Sequence, residues 1–259
     1  MPTTTAGWTR EELAANPHES GAKAEKVRAM FASIARSYDL NNTLHSFGRD
    51  AAWRRAAVRM ARVRDGDEVL DAACGTGELT RTFARAPRLG LGRPARVVGL
   101  DYTPEMLDLA RAKPAIHGPD APPVSYVQGD AMALPFGDGS FDVVSIAFGI
   151  RNVAEPARAL AEFRRVLRPG GRLVILEFSR PSFPPAAWVN DFYCGQVMPR
   201  TATLISRDRS GAYRYLPRSV NSFVSRDAMS RLIQGAGFQN VLAKAMTMGV
   251  CVCYAADTR

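Results

Sequence analysis

Apolar residues recur at three- and four-residue spacing from about residue 22 to residue 62, and Val27, Met30, Phe31, Ile34 and Ala35 fall on one helical face. A second helical pattern runs through Trp53 and Met60, and the polar and aromatic stretch YDLNNTLHSFGRD between the two reads as a connection. Beyond it the period changes. EVLDAA, ARVVGLD, VSYVQGD, FDVVSIAF and RLVILEFS are short apolar runs separated by helical or loop segments, the pattern of a parallel sheet with helices on its faces. A stretch rich in proline and aromatic residues follows, at 181–223. After it come a helix, RDAMSRLIQGAG, and two further strands, FQNVLAKAMT and VCVCYAA. The pattern predicts one doubly wound α/β domain over residues 22–259. Residues 1–21 are polar and without periodicity, and read as a mobile tail.

Composition narrows the class. With 46% apolar and 23% charged residues, the 259-residue chain can bury a core of ordinary size. Cys74, Cys194, Cys251 and Cys253 have neither metal-ligand spacing nor the density of a disulfide scaffold, so they read as reduced thiols in a cytoplasmic protein, and no metal site is expected. The N-terminus lacks the apolar run of a signal peptide, and no segment approaches the length of a spanning helix. The net charge of +9 suits nucleic acid, an anionic membrane or solubility alone. Its arginines are scattered without interleaved aromatics or a binding module, which speaks against nucleic acid.

The chemistry concentrates at strand ends. DAACGTG, residues 71–77, closes the first strand and opens a helix, where ligands of open α/β sheets bind and where Gly75, Thr76 and Gly77 let the backbone come close. The second strand ends in Asp101, followed by Tyr102, and an acid there can accept both hydroxyls of an adenosine ribose. The third ends in Gly129, Asp130 and Ala131. Asp130 can receive the adenine amine, and Ala131 leaves room for the ring. A dinucleotide is disfavoured, because Thr80 stands where the third glycine of the phosphate fingerprint belongs and Asp71 would repel a pyrophosphate. The same Asp71 suits the cationic end of S-adenosylmethionine, which is the cofactor this set predicts.

Longer motifs add a resemblance. AMFASIARSYDLNN (29–42), SFG (46–48), Trp53, FGIRNV (148–153) and RVLRPGGRLVILEFSRP (165–181) are together similar to the C-methyltransferases of ubiquinone and menaquinone biosynthesis, and the likeness runs from about Val27 to the C-terminus. Asn41, Asp50, Ala147 and Ala202 stand where that family commonly has Met, His, Ser and Gly. The resemblance implies a Rossmann-like class I methyltransferase fold with a seven-stranded, mostly parallel sheet. It also implies a helical lid at 22–62, a substrate-side insert at 181–223, a cofactor contact at Ala147, and methylation of a ring carbon on a polyprenylated hydroquinone. Such a lipophilic quinol resides in a bilayer, so peripheral contact with the inner face of the membrane is expected, with a homodimer left open.

A phenol ring carbon is a weak nucleophile until its hydroxyl ionises. The enzyme must then hold the two centres together, favour the phenolate and accept the ring proton. Arg151 can stabilise a phenolate or orient a water, or else form an ion pair holding the next helix. Asn152 can bond a quinol oxygen or cap that helix. Tyr38 and Asp39 can close over the cofactor, and His45 can act as a base or be structural. Trp188, Phe192, Tyr193, Met246 and Met248 suit either a prenyl channel or core packing. Two rival readings remain: a methyltransferase for another phenol, a lipid or RNA, and a fold-alike that binds the cofactor without catalysis.

Overall fold

The computed structural model describes Trp8 and residues 23–118, 121–206 and 211–259. Seven strands form one sheet: β1 (Glu68–Ala72), β2 (Arg96–Asp101), β3 (Val124–Gln128), β4 (Phe141–Ala147), β5 (Leu167–Phe178), β6 (Gln239–Met246) and β7 (Cys251–Asp257). Their order is β3-β2-β1-β4-β5-β7-β6. The first five are parallel, and β7 runs antiparallel to both β5 and β6. The chain reverses its winding between β1 and β4, so the crevice for a ligand opens at the carboxyl ends of β1, β2 and β4.

Both faces of the sheet are covered, as a parallel sheet requires. On one side, α5 (Pro156–Val166) and α9 (Arg226–Gly235) press Ala159, Leu160, Phe163, Met229 and Ile233 against Leu70, Ile146 and Ile175. On the other, α2 (Arg49–Met60) and α3 (Glu78–Phe83) pack Trp53, Ala57, Leu79 and Phe83 against Val69, Val97 and Val174. Alternate residues of β1 thus enter opposite cores, following the two-residue period of a strand.

A third core stands apart from the sheet. It joins α1 (Lys23–His45), α7 (Met198–Ser206) and α8 (Ala212–Asn221) through Val27, Met30, Ile34, Ala202, Tyr213 and Tyr215. Trp8, inside the segment read as a mobile tail, is buried there and stacks on Tyr215 at 4.7 Å between ring centroids. The expectation of a loose tail is therefore corrected at Trp8, and the remainder of residues 1–21 lies outside the described residues.

Two local expectations also change. The connection between the first two helices shrinks to Ser46, Phe47 and Gly48, because α1 continues to His45. Its polar residues are tertiary partners: Asn41 is buried and donates to the Ser37 carbonyl at 3.1 Å and to the Tyr213 hydroxyl at 2.8 Å. Gly48, at φ 71°, closes the helix by donating to the Thr43 carbonyl. The described residues of the 181–223 stretch are mostly helical as well. Proline opens α6 (Pro184–Phe192), where its missing N–H costs nothing, and one π-helical turn, Tyr193–Val197, joins it to α7.

Candidate active site

The loop after β1 bends back under the sheet edge with Ala73, Gly75 and Gly77 all at positive φ, and the Cys74 N–H ties it to the Leu100 carbonyl of β2. Gly77 is required by its surroundings: a Cβ there would lie 2.4 Å from the Tyr126 hydroxyl. Gly77 therefore shapes the turn, while Gly75 lines the crevice. Burial pushes the Cys74 thiol well up, so it is a packing group.

Asp101 anchors this loop. Its Oδ2 accepts the Gly75 N–H at 2.7 Å and its Oδ1 accepts the Thr103 N–H at 2.8 Å, leaving further lone pairs toward the crevice it lines. Burial raises its pKa and the two N–H donors draw it back. Asp130 is held likewise by the Met132 N–H at 2.8 Å, and Ala131, Tyr102 and Ala147 line the same crevice. Asp101, Tyr102, Asp130, Ala131, Gly75 and Ala147 are thus brought together from four strand ends, those of β1 to β4.

Asp71 and Thr76 are placed differently. The Asp71 carboxylate is fully buried behind the loop, accepting from Thr80 Oγ1 at 2.7 Å and Ser145 Oγ at 2.9 Å, and it does not line the crevice. Its predicted contact with the cationic end of the cofactor is corrected to a structural tie between α3, β1 and β4. Thr76 donates to Asp39 Oδ1 at 2.6 Å, and Lys113 bridges Asp39 and Glu78 at 2.7 and 2.6 Å. These bonds fasten α1 to the glycine loop, and Lys113 carried no recognisable motif to announce it.

Burial pushes the Asp71 pKa from 3.8 up to about 6. Between those values the folded protein holds a proton that the unfolded chain has lost. Asp71 therefore favours folding fully below pH 3.8, and that contribution is gone above about pH 6. Urea unfolding of wild type and Asp71→Asn at pH 4.5 and 6.5 is expected to show the stability gap shifting by about 2 kcal/mol in favour of the variant at the higher pH. A gap independent of pH would mean that Asp71 is ionised throughout this range.

The segment after β4 is the hub of the site. Phe148, at φ 56°, stacks on Phe178 at 4.4 Å, with Trp53 against both rings. Arg151 is 2% exposed and does not line the crevice. Its guanidinium is ion-paired with the equally buried Glu177, donates to the Phe148 carbonyl at 3.0 Å and to Ser219 Oγ at 3.3 Å, and lies over the Phe178 ring. The direct phenolate contact expected of Arg151 gives way to its alternative, an ion pair that fixes this segment. Asn152 does line the crevice; it donates to the Phe148 carbonyl at 3.2 Å and accepts from the Tyr215 hydroxyl at 3.0 Å.

Tyr38 is half-buried, lines the crevice near Gly75 and stands edge-on to Phe31 at 5.8 Å. His45 is not in the crevice. Its Nδ1 meets the Tyr193 hydroxyl at 2.9 Å, its Nε2 is buried without a partner, and burial lowers its pKa. A general base at His45 is thus corrected by position. Val27 and Phe31, whose spacing marks them as core, form crevice wall together with Met106. Lys23 was missed: its Nζ donates to the Val153 carbonyl at 2.6 Å, and burial, with the nearby Arg151 charge, lowers its pKa to about 8.

The crevice holds about 830 Å³ of empty space, with the solvent at its open mouth included. A carboxylate with spare lone pairs at each of the β2 and β3 ends, a small residue beside Asp130 and a glycine backbone at the loop match an adenosyl group. A family model described as the ubiE/COQ5 methyltransferase family matches residues 19–257. The chain belongs to the ubiE/COQ5 methyltransferase family.

Among its relatives, the demethylmenaquinone methyltransferase of Thermus thermophilus is 44% identical over 229 residues, 88% of this chain and 99% of that protein. The ubiquinone/menaquinone biosynthesis C-methyltransferase UbiE of Erwinia tasmaniensis is 41% identical over 228 residues, 88% of each chain. Solved structures share the fold at lower identity. A putative methyltransferase of Haloferax volcanii, in complex with the Trm112 methyltransferase activator, superposes with a TM-score of 0.60 at 20% identity, covering 88% of this chain and 97% of that one. A possible histamine N-methyltransferase from Thermotoga maritima gives 0.58 at 19%, covering 90% and 100%. This member of the ubiE/COQ5 family is therefore an S-adenosylmethionine-dependent C-methyltransferase with the class I fold.

Proposed function

We propose that the enzyme methylates a ring carbon of a polyprenylated hydroquinone, converting demethylmenaquinol to menaquinol or a corresponding precursor to ubiquinol. The observation that carries this reading is the extended similarity to quinone-pathway methyltransferases, which includes the segments that build the crevice. The crevice suits it. Its lining combines the polar strand ends with the apolar side chains of Val27, Phe31, Met106 and Phe148, which suit a ring.

S-adenosylmethionine, when bound, supplies the electrophilic sulfonium methyl. Asp101 would accept the ribose hydroxyls, Asp130 the adenine amine, and Ala131 and Ala147 would leave space beside them. Tyr38 and Asn152 are polar side chains of the same lining, and Asn152, with one amide hydrogen spent on Phe148, has the second left for a quinol oxygen. Arg151 serves by holding the backbone of 148–152 rigid through Glu177. The Asp39 bonds to Thr76 and Lys113 favour α1 as a lid that excludes water.

A prenyl tail keeps the substrate in a bilayer, so the reading extends to a cytoplasmic enzyme in peripheral contact with the membrane, aided by its +9 charge. Among the described residues no helix is long and apolar enough to cross a membrane. Transfer of labelled methyl is expected to one of two acceptors, demethylmenaquinol or the benzoquinol analogue. Cofactor binding without label in either acceptor would remove the substrate assignment and leave the fold and cofactor in place.

A further inference from the structure

We propose that an aromatic face formed by Phe47, Trp188 and Phe192 is the surface with which this enzyme docks on an anionic lipid bilayer; the inference rests on the quinol reading above. Phe47 is 77% exposed, Trp188 72% and Phe192 57%, an unusual outlay of large apolar side chains in a folded protein. They are organised rather than scattered. Trp188 and Phe192, one helical turn apart on α6, stack at 6.3 Å between centroids and only 16° between planes. Phe47, in the turn after α1, lies 5.5 Å from the ring of Tyr193, the residue that follows Phe192. The Tyr193 hydroxyl is fixed in turn by His45, which joins the end of α1 to the insert.

The surrounding charge identifies the occupant. Across residues 181–206 there are only two charged side chains, Asp191 and Arg200. Asp191 is paired with Arg180, and Asp50, three residues after Phe47, is buried and paired with Arg54. Arg49, two residues after Phe47, and Arg200, eight after Phe192, are exposed, so the aromatic side chains are flanked along the chain by unburied cations. Trp favours the depth of lipid headgroups, Phe inserts at the boundary with the acyl chains, and arginine favours anionic headgroups. The face is tied to the helix that lines the site, because Phe47 and His45 at the end of α1 both meet Tyr193, and the same helix carries Phe31 and Tyr38 in the crevice wall. A substrate tail lying in the bilayer would meet this helix on its way to the crevice.

The test compares full-length wild type with Trp188→Ser/Phe192→Ser, two exposed positions whose loss leaves the three cores intact. Co-sedimentation is measured with phosphatidylcholine vesicles, with and without about one-third phosphatidylglycerol. The wild type is expected to partition onto the anionic vesicles, and the double variant about tenfold less, the effect of withdrawing two aromatic side chains from an apolar phase. KM for a long-tailed quinol in the same vesicles should rise by a similar factor. Turnover of a short-tailed soluble quinol and affinity for S-adenosylhomocysteine should not change.

Equal partitioning of variant and wild type, or no partitioning of the wild type, overturns the proposal. So does sedimentation velocity showing that the double substitution converts a dimer to a monomer while vesicle binding is kept, since the face would then belong to a second copy. If the short-tailed quinol is not methylated, the substrate reading fails by itself, and the vesicle measurement still judges the face.

Discussion

Arg151→Ala is expected to lower stability by about 3–5 kcal/mol, because it strands the Glu177 carboxylate in the core without its partner. For a domain of this size that is a fall in melting temperature of about 10 °C or more. Activity should fall with it, since the carbonyl of Phe148, the side chain of Asn152 and Ser219 are all organised around the same guanidinium. The paired replacement Arg151→Met/Glu177→Leu separates the two effects. Removing both charges leaves nothing unpaired, so thermal stability should largely return. If activity also returns, Arg151 acts only by holding its segment. If stability returns and turnover does not, its charge is felt at the reacting centre. A single variant that melts like the wild type would show the buried pair to be dispensable.

Asp101→Ala is expected to weaken S-adenosylhomocysteine binding by about 1.5–3 kcal/mol, a factor of roughly 10 to 150 in Kd. Two losses combine in it: the acceptor for the ribose, and the brace that holds the Gly75 N–H in the glycine loop. Asp101→Asn keeps one oxygen for a backbone N–H and one position for the ribose, so it should fall between wild type and alanine. Titration calorimetry decides the matter. An alanine variant with wild-type affinity would place the ribose away from the end of β2.

Legibility of the site followed a simple division. Residues whose role is dictated by their position at a strand end were readable: Asp101, Asp130 and Ala131 each close or follow a strand whose apolar run is plain, and the crevice gathers all three. The α/β class and the count of seven strands follow from the same runs. Residues whose role depends on a partner far along the chain were not readable. Arg151 and Glu177 are 26 positions apart, Asp39 and Lys113 are 74 apart, and Lys23 reaches the Val153 carbonyl across 130. No local period encodes such pairings.

Asp71 shows the limit most clearly. Its place in the glycine loop suggests an exposed acceptor, yet its side chain turns into the protein toward Thr80 and Ser145, since alternate residues of a strand face opposite ways. His45 shows it too, for only the packing of α1 on the insert decides that its ring meets Tyr193 and not the crevice. Hydrophobic period and loop chemistry are local properties, so the sheet, the cofactor class and the strand ends that open on the crevice could be read from the order of residues alone. Which charges are spent on one another and which remain for a ligand was settled by folding, because burial and ion pairing depend on what the rest of the chain brings alongside.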